Sequence, residues 1–176
     1  MNTNKCVFLD RDGVLNADEK YYTYLLEDVV ILDGVIEALH KLKAAGYLLI
    51  VVTNQAGIAK GEYLPENVRA IHELMQQASG GLLNDLYYSP HHPEHSSRSL
   101  RRKPDSLMIE KAMAKHGIDP ARSWMVGDRL SDVQAGRKAG VRTVLLGTKA
   151  DKNSGDFWAN DLLEASEIIL REGVNS

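Results

Sequence analysis

The sequence predicts a three-layer α/β fold, with a central parallel sheet between helices. Three observations carry this expectation. Short apolar runs alternate along the chain with segments of helical periodicity, the order that builds a parallel sheet through helical crossovers. A run such as Tyr47 to Val52 is apolar throughout, as strands buried on both faces are. The polar clusters follow these runs, where sheets of this kind, Rossmann-like in their winding, hold ligands.

The elements follow in order. Lys5 to Leu9 reads as the opening strand. Asp33 reads as the N-cap of a helix whose Val35, Ile36, Leu39 and Leu42 recur at helical spacing, with Gly46 as its stop. Tyr47 to Val52 is the second strand, and Pro65 opens a helix to about Gln77. Leu82 to Tyr88 is a third strand, interrupted by Asn84 and Asp85, and Pro104 starts a helix to about His116. Ser123 to Val126 and Val141 to Leu146 are further strands, flanking a helix from Ser131 to Ala139 that ends at Gly140. Asp161 to Arg171 reads as a closing amphipathic helix.

Composition sets the bounds. A chain of 176 residues fits one domain, 1–176, with a substantial core. A hydrophobic content of 44% and charged content of 26% are those of a globular protein. The net charge of −3 argues against broad nucleic-acid binding and leaves room only for a local basic patch. Cys6 is the single cysteine, so neither an internal disulfide nor a thiolate cluster can form. There is no apolar run of membrane-spanning length and no signal-peptide pattern, so a cytoplasmic protein with no membrane partner is expected.

The most informative stretch is Asp10-Arg11-Asp12-Gly13-Val14, directly after Cys6 to Leu9. Carboxylates beside a core are costly unless a cation or hydrogen bonds compensate them. In strand-like backbone residues i and i+2 face the same way, so Asp10 and Asp12 converge while Arg11 points aside. Gly13 permits a tight turn or a close backbone approach. Thr53-Asn54-Gln55 ends the second strand, Lys103 precedes the helix after the third, and Gly127-Asp128 ends the fourth. One rim therefore receives an acidic pair, a hydroxyl with an amide, an ammonium and a further carboxylate. Phosphate-monoester hydrolysis needs such a set, because the dianion repels a carboxylate nucleophile until a hard cation intervenes. Mg²⁺ suits Asp10 and Asp128. Asp10 can attack phosphorus, Asp12 can carry protons, Thr53 and Asn54 can donate to the transferring group, and Lys103 supplies positive charge.

These motifs, Asp10 to Asn16, Thr53 to Ile58, Arg102-Lys103-Pro104 and Gly127 to Asp132, resemble the four motifs of the haloacid dehalogenase (HAD) superfamily. They look most like its histidinol-phosphate and heptose-bisphosphate phosphatase branch, over residues 5 to 148, including the run Tyr87 to Pro93. The resemblance implies a Mg²⁺-dependent phosphatase acting on a small-molecule phosphorylated sugar through an aspartyl-phosphate, with heptose 1,7-bisphosphate as first choice of substrate. It implies Asp10 as nucleophile, Asp12 as acid/base, Mg²⁺ held by Asp10, the Asp12 carbonyl and Asp128, and Thr53 and Lys103 at the phosphate. Arg102 matches the branch's arginine beside the motif lysine, and is assigned to a second substrate phosphate. Asn54, Arg129 and Tyr21 are further candidates for substrate contact. Asp132 is a weaker candidate, fit to assist the metal, to cap its helix or to pair with Lys103. Histidinol phosphate, a 3′-phosphorylated polynucleotide and a non-catalytic phospho-ligand role remain as alternatives.

The chain departs from the branch at its structural zinc. The cysteine positions read Ser89, Ser99 and Arg101, leaving only His91 of the ligand set, so a structural zinc is not expected. His91, His92 and His95 could regroup around a metal, but neighbouring histidines in a loop read first as solvated or hydrogen-bonded. Neither 16–32 nor 80–103 has room for a folded module, so no cap domain is expected. An open rim on a single domain suits a monomer.

Overall fold

A computed structural model describes residues 3–147 and 153–173. The ends of the expected 1–176 domain, and residue 148 at the end of the motif-bearing stretch, lie outside them. Among the described residues six parallel strands form one sheet in the order β3-β2-β1-β4-β5-β6. They are β1 (Lys5–Leu9), β2 (Tyr47–Asn54), β3 (Asp85–Ser89), β4 (Trp124–Gly127), β5 (Arg142–Leu146) and β6 (Phe157–Ala159). The helices are α1 (Val35–Ala44), α2 (Pro65–Ser79), α3 (Leu107–His116), α4 (Leu130–Lys138) and α5 (Leu162–Gly173).

The two-residue period of the strands divides the core. Val7, Leu9, Leu49 and Val51 face one side, where they pack with Leu39 of α1, Ile71 of α2 and Ile169 of α5. Cys6, Phe8, Ile50 and Val52 face the other, against Met108 and Ile109 of α3 and Ala135 of α4. Both faces of β1 and β2 are thus covered, which is why their sequences show no polar alternation. This is the expected three-layer arrangement, and no folded module is inserted between its elements among the described residues.

Several boundaries differ from the sequence reading, each for a local reason. Asp33 does not cap α1. Gly34 occupies that position at φ 76°, with no side-chain cap. A side chain there would meet Leu163 of α5, its Cβ lying 3.1 Å from the Leu163 Cβ, so a close helix approach selects glycine. The third strand begins at Asp85 rather than Leu82, because α2 claims the residues before it: Leu83 N–H donates to Gln76 Oε1, and Gln76 Nε2 donates to the Leu83 carbonyl. The helix expected from Pro104 begins at Leu107. Lys103 is tied across the sheet to Asn54, and 104–106 form a turn in which Asp105 N–H donates to the Arg102 carbonyl. The edge strand β6 carried too short an apolar run to be read from sequence.

Asp85 anchors α3 to the sheet. Its carboxylate lies 2.7 Å from Lys115 Nζ and 2.8 Å from His116 Nε2. Partial burial pushes its pKa up, but Lys115, His116 and the Leu86 N–H outweigh this and bring it from 3.8 to about 2. A carboxyl depressed in the folded state stabilises above its unfolded pKa, and that stability drains away as pH falls through the folded one. Asp85→Asn is expected to cost about 1 kcal/mol at pH 7, allowing for the exposure of Lys115. Denaturant melts repeated near pH 2 should show the difference closing.

Candidate active site

The carboxyl edge of the sheet forms the floor of an open cleft of about 740 Å³. β1 delivers Asp10 there, its N–H still in register with the Val126 carbonyl at 3.0 Å. The chain then turns sharply at Gly13 (φ 82°), whose N–H donates to the Asn16 carbonyl. A Cβ on Gly13 would lie 2.3 Å from Asp128 Oδ2, so both the positive φ and the proximity of Asp128 exclude other residues. Gly127 is constrained by proximity alone, since its Cβ would lie 2.2 Å from that of Asp132.

Lys103 sits at the centre and is 3% exposed. Its ammonium lies 3.0 Å from Asp10 Oδ1 and 2.6 Å from Asp132 Oδ1, and donates to the Val52 carbonyl at 2.8 Å. Burial opposes this charge, but Asp10 and Asp132 outweigh it and raise the lysine pKa. Asn54 fixes the lysine backbone from both sides: its Nδ2 donates to the Lys103 carbonyl and its Oδ1 accepts the Lys103 N–H, each at 3.0 Å. Both ends of its amide engage the Lys103 backbone, and Asn54 also lines the cleft. Asp132 performs two of the three tasks weighed for it. It pairs with Lys103, and its Oδ2 accepts the Arg129 N–H at the start of α4.

Asp10, Asp128 and Asp132 bring carboxylate oxygens within 4.8 Å of one another. Burial, then the charge of Asp132, push Asp10 up to about 7, against the pull of Lys103. Burial and Asp132 likewise raise Asp128 to about 6. Among the described residues Asp128 Oδ1 is buried with no hydrogen-bond partner, Arg129 Nε standing 4.0 Å away. Crowded carboxylates with an unsatisfied buried oxygen are what a hard divalent cation relieves, so these residues fit Mg²⁺. Gly13→Ala is expected to displace Asp128 and weaken divalent-cation binding on the order of 10- to 100-fold. Thermal-shift titration with Mg²⁺ and Mn²⁺ would measure this, and an unchanged midpoint would refute it.

Asp12 stands beside this cluster. Its Oδ1 accepts from Asn16 Nδ2 at 3.0 Å and from Arg11 Nη2 at 2.9 Å, and its Oδ2 accepts from Gln55 Nε2 at 3.0 Å. Arg11 therefore does not point aside as the sequence reading held. It is 2% exposed and clamps Asp12 while Nη2 also donates to the Thr23 carbonyl. The strand ends at Leu9, so the two-residue alternation no longer governs where Arg11 points. Thr53 is buried at the end of β2, its hydroxyl accepting from Gln55 Nε2 at 2.9 Å.

The other candidates line the cleft wall rather than its centre. Arg129 pairs with Asp18 at 2.8 Å. Tyr21 is 82% exposed on the rim, its hydroxyl 3.3 Å from Lys60 Nζ. Arg102 Nη1 donates to the His91 carbonyl, and Arg101 Nη2 to that of Tyr88, so arginines brace the loop after β3. Of the positions at the usual cysteines, Ser89 is fully buried and Ser99 Oγ accepts the Arg101 N–H. His92, Glu94 and His95, without His91, bring ligand-type atoms together on this loop, where His92 Nδ1 already accepts the Glu94 N–H. Sequence reasoning passed over Gln55, Asn16 and Tyr63. Gln55 lay within a quoted motif, but nothing local marked Tyr63.

Comparison with known proteins finds relatives over most of the chain. A HAD-hydrolase-like family profile matches residues 100–165. A D-glycero-beta-D-manno-heptose-1,7-bisphosphate 7-phosphatase of Haemophilus ducreyi is 41% identical, covering 97% of this chain and 98% of its own. A D-glycero-alpha-D-manno-heptose-1,7-bisphosphate 7-phosphatase of Burkholderia mallei is 42% identical over 81% of this chain and 79% of its own. Among solved structures, the D,D-heptose 1,7-bisphosphate phosphatase of B. bronchiseptica, complexed with magnesium and phosphate, superposes with a TM-score of 0.84. It is 28% identical, covering 96% of this chain and 99% of its own.

Proposed function

The chain belongs to the heptose-1,7-bisphosphate 7-phosphatase family of HAD hydrolases, and from that membership we propose that it is a Mg²⁺-dependent phosphoric monoester hydrolase that removes the 7-phosphate of D-glycero-D-manno-heptose 1,7-bisphosphate. The observation that carries this reading is the buried Lys103 set between Asp10 and Asp132, with Asp128 Oδ1 unsatisfied beside them. Asp10 and Asp128, with the Asp12 carbonyl, would hold the cation. When bound, Mg²⁺ neutralises the phosphoryl charge and lets a carboxylate approach phosphorus.

An Asp10 carboxylate oxygen attacks phosphorus, the ester P–O bond breaks, and Asp12 gives its proton to the leaving sugar oxygen. Asp12 then takes a proton from water, whose oxygen attacks the aspartyl-phosphate and releases inorganic phosphate and Asp10. Lys103 and the Thr53 hydroxyl stabilise charge on the phosphoryl oxygens. Asn54 keeps Lys103 in register. Arg102, Arg129 and Tyr21 border the space for the rest of the substrate, and Arg102 takes the second phosphate. The open rim on a single domain supports a monomer. The acidic net charge supports a small substrate over a nucleic acid.

Because relatives act on both the alpha and the beta anomer, the test is phosphate release from each, alongside histidinol phosphate and a 3′-phosphorylated oligonucleotide, with Mg²⁺ or EDTA. The highest kcat/KM is expected for a heptose bisphosphate, with EDTA abolishing turnover. Faster turnover of histidinol phosphate, or none of any ester, would overturn the assignment.

A further inference from the structure

We propose that Tyr63, acting through Gln55, is a positioning residue for Asp12 and for the Thr53 hydroxyl, a role that rests on the phosphatase reading above. Gln55 is 2% exposed, and its side chain has three partners. Nε2 donates to Asp12 Oδ2 at 3.0 Å and to Thr53 Oγ1 at 2.9 Å, while Oε1 accepts from the Tyr63 hydroxyl at 2.6 Å. An amide nitrogen carries two hydrogens, and both are used here. A carboxylate accepts hydrogen bonds, so the amide must turn its nitrogen toward Asp12 and its oxygen toward Tyr63. A flipped amide would set oxygen against carboxylate. The Tyr63 hydroxyl donates to the oxygen and so holds the productive orientation. Burial pushes its pKa up to about 12, so it remains a donor throughout the neutral range.

The orientation matters for chemistry. With Gln55 donating to Thr53 Oγ1, the threonine keeps its own O–H for a phosphoryl oxygen in the cleft. The same amide fixes Asp12 Oδ2, which Arg11 Nε also reaches at 3.2 Å, while Arg11 Nη2 and Asn16 hold Oδ1. One glutamine thereby sets the relative placement of a phosphoryl donor and a proton carrier that must act on the same group.

Tyr63 is itself fixed by the cleft wall. Its ring stacks on Tyr24 at 5.3 Å and 12°, and meets the edge of Tyr22 at 5.6 Å. Gly57 lies so close that a Cβ there would fall 2.1 Å from the ring. The same wall segment reaches Asp12 from the other side, since the Thr23 carbonyl accepts from Arg11. Residues 22–24 thus hold Asp12 by two routes.

The test is Tyr63→Phe, which keeps the ring and its stacking, measured beside Gln55→Leu and the double variant. For Tyr63→Phe, kcat is expected to fall about tenfold with KM within about twofold, because the loss is one of orientation during reaction. The pH–rate profile is expected to move, and the phenylalanine is expected to add nothing in the Gln55→Leu background. Full kcat in Tyr63→Phe, additive losses in the double variant, or a fall in kcat matched by a loss of thermal stability with an unmoved pH profile would overturn the role. Wild-type protein that releases no phosphate would instead sink the phosphatase reading, and this role with it.

Discussion

Asp10→Asn is expected to lower kcat by at least about 10⁴-fold, the loss that follows from the nucleophilic role proposed for Asp10. The fold should survive. Asp10 Oδ1 accepts the Arg11 N–H at 2.7 Å, and an asparagine oxygen can accept the same bond. The substitution also removes a carboxylate that burial and Asp132 hold at about 7. Such a raised carboxyl favours the folded state below its unfolded pKa and loses that advantage as pH rises through the folded value. Above pH 7 the metal-free asparagine variant should therefore melt no lower than the wild type. Calorimetry at pH 8, paired with single-turnover phosphate release, would check both. Retained turnover, or collapse of the fold, would count against the assignment of Asp10.

Lys103→Met is the second large effect, and it should strike stability and activity together. The ammonium is buried between two carboxylates, and a third, Asp128, lies close to both. Removing one member of a buried ion pair leaves uncompensated charge and typically costs about 3–5 kcal/mol. The pH dependence gives the effect its signature. Lys103 is what pulls Asp10 down, so without it the carboxyl rises further above its present value of about 7. The variant should be weakest at pH 8 and recover as pH falls and the cluster takes up protons, with Mg²⁺ restoring part of the loss. Activity is expected to fall about 10³-fold even at saturating Mg²⁺. Denaturant melts from pH 5 to 8, with and without Mg²⁺, would measure this. A variant within 1 kcal/mol of wild type across that range would show that Lys103 does not compensate the cluster.

Much of the fold was legible because strand and helix periodicities are local. β1 was read to the residue, and the strands around Tyr47, Ser123 and Val141 to within two. The ends that moved did so for contacts with distant residues. Gln76 draws Leu83 away from β3, α5 crowds Gly34, and Asn54 holds Lys103 so that α3 starts late. β6 escaped because three residues paired on a sheet edge carry no period of their own.

The site divides in the same way. The charges of Asp10, Asp12, Lys103 and Asp128 at strand ends were readable in the chain itself, since buried charge beside apolar runs is costly and must serve something. The meeting of Asp10 and Asp132 on Lys103, with Asp128 beside them, came from strands set in register by folding. The inward turn of Arg11, the engagement of Asn54 with the Lys103 backbone and the Tyr63–Gln55–Asp12 relay came only from tertiary structure. A charge beside a core announces itself through its desolvation cost, whereas a neutral amide or phenol acquires its role from whichever partners folding sets within about 3 Å of it.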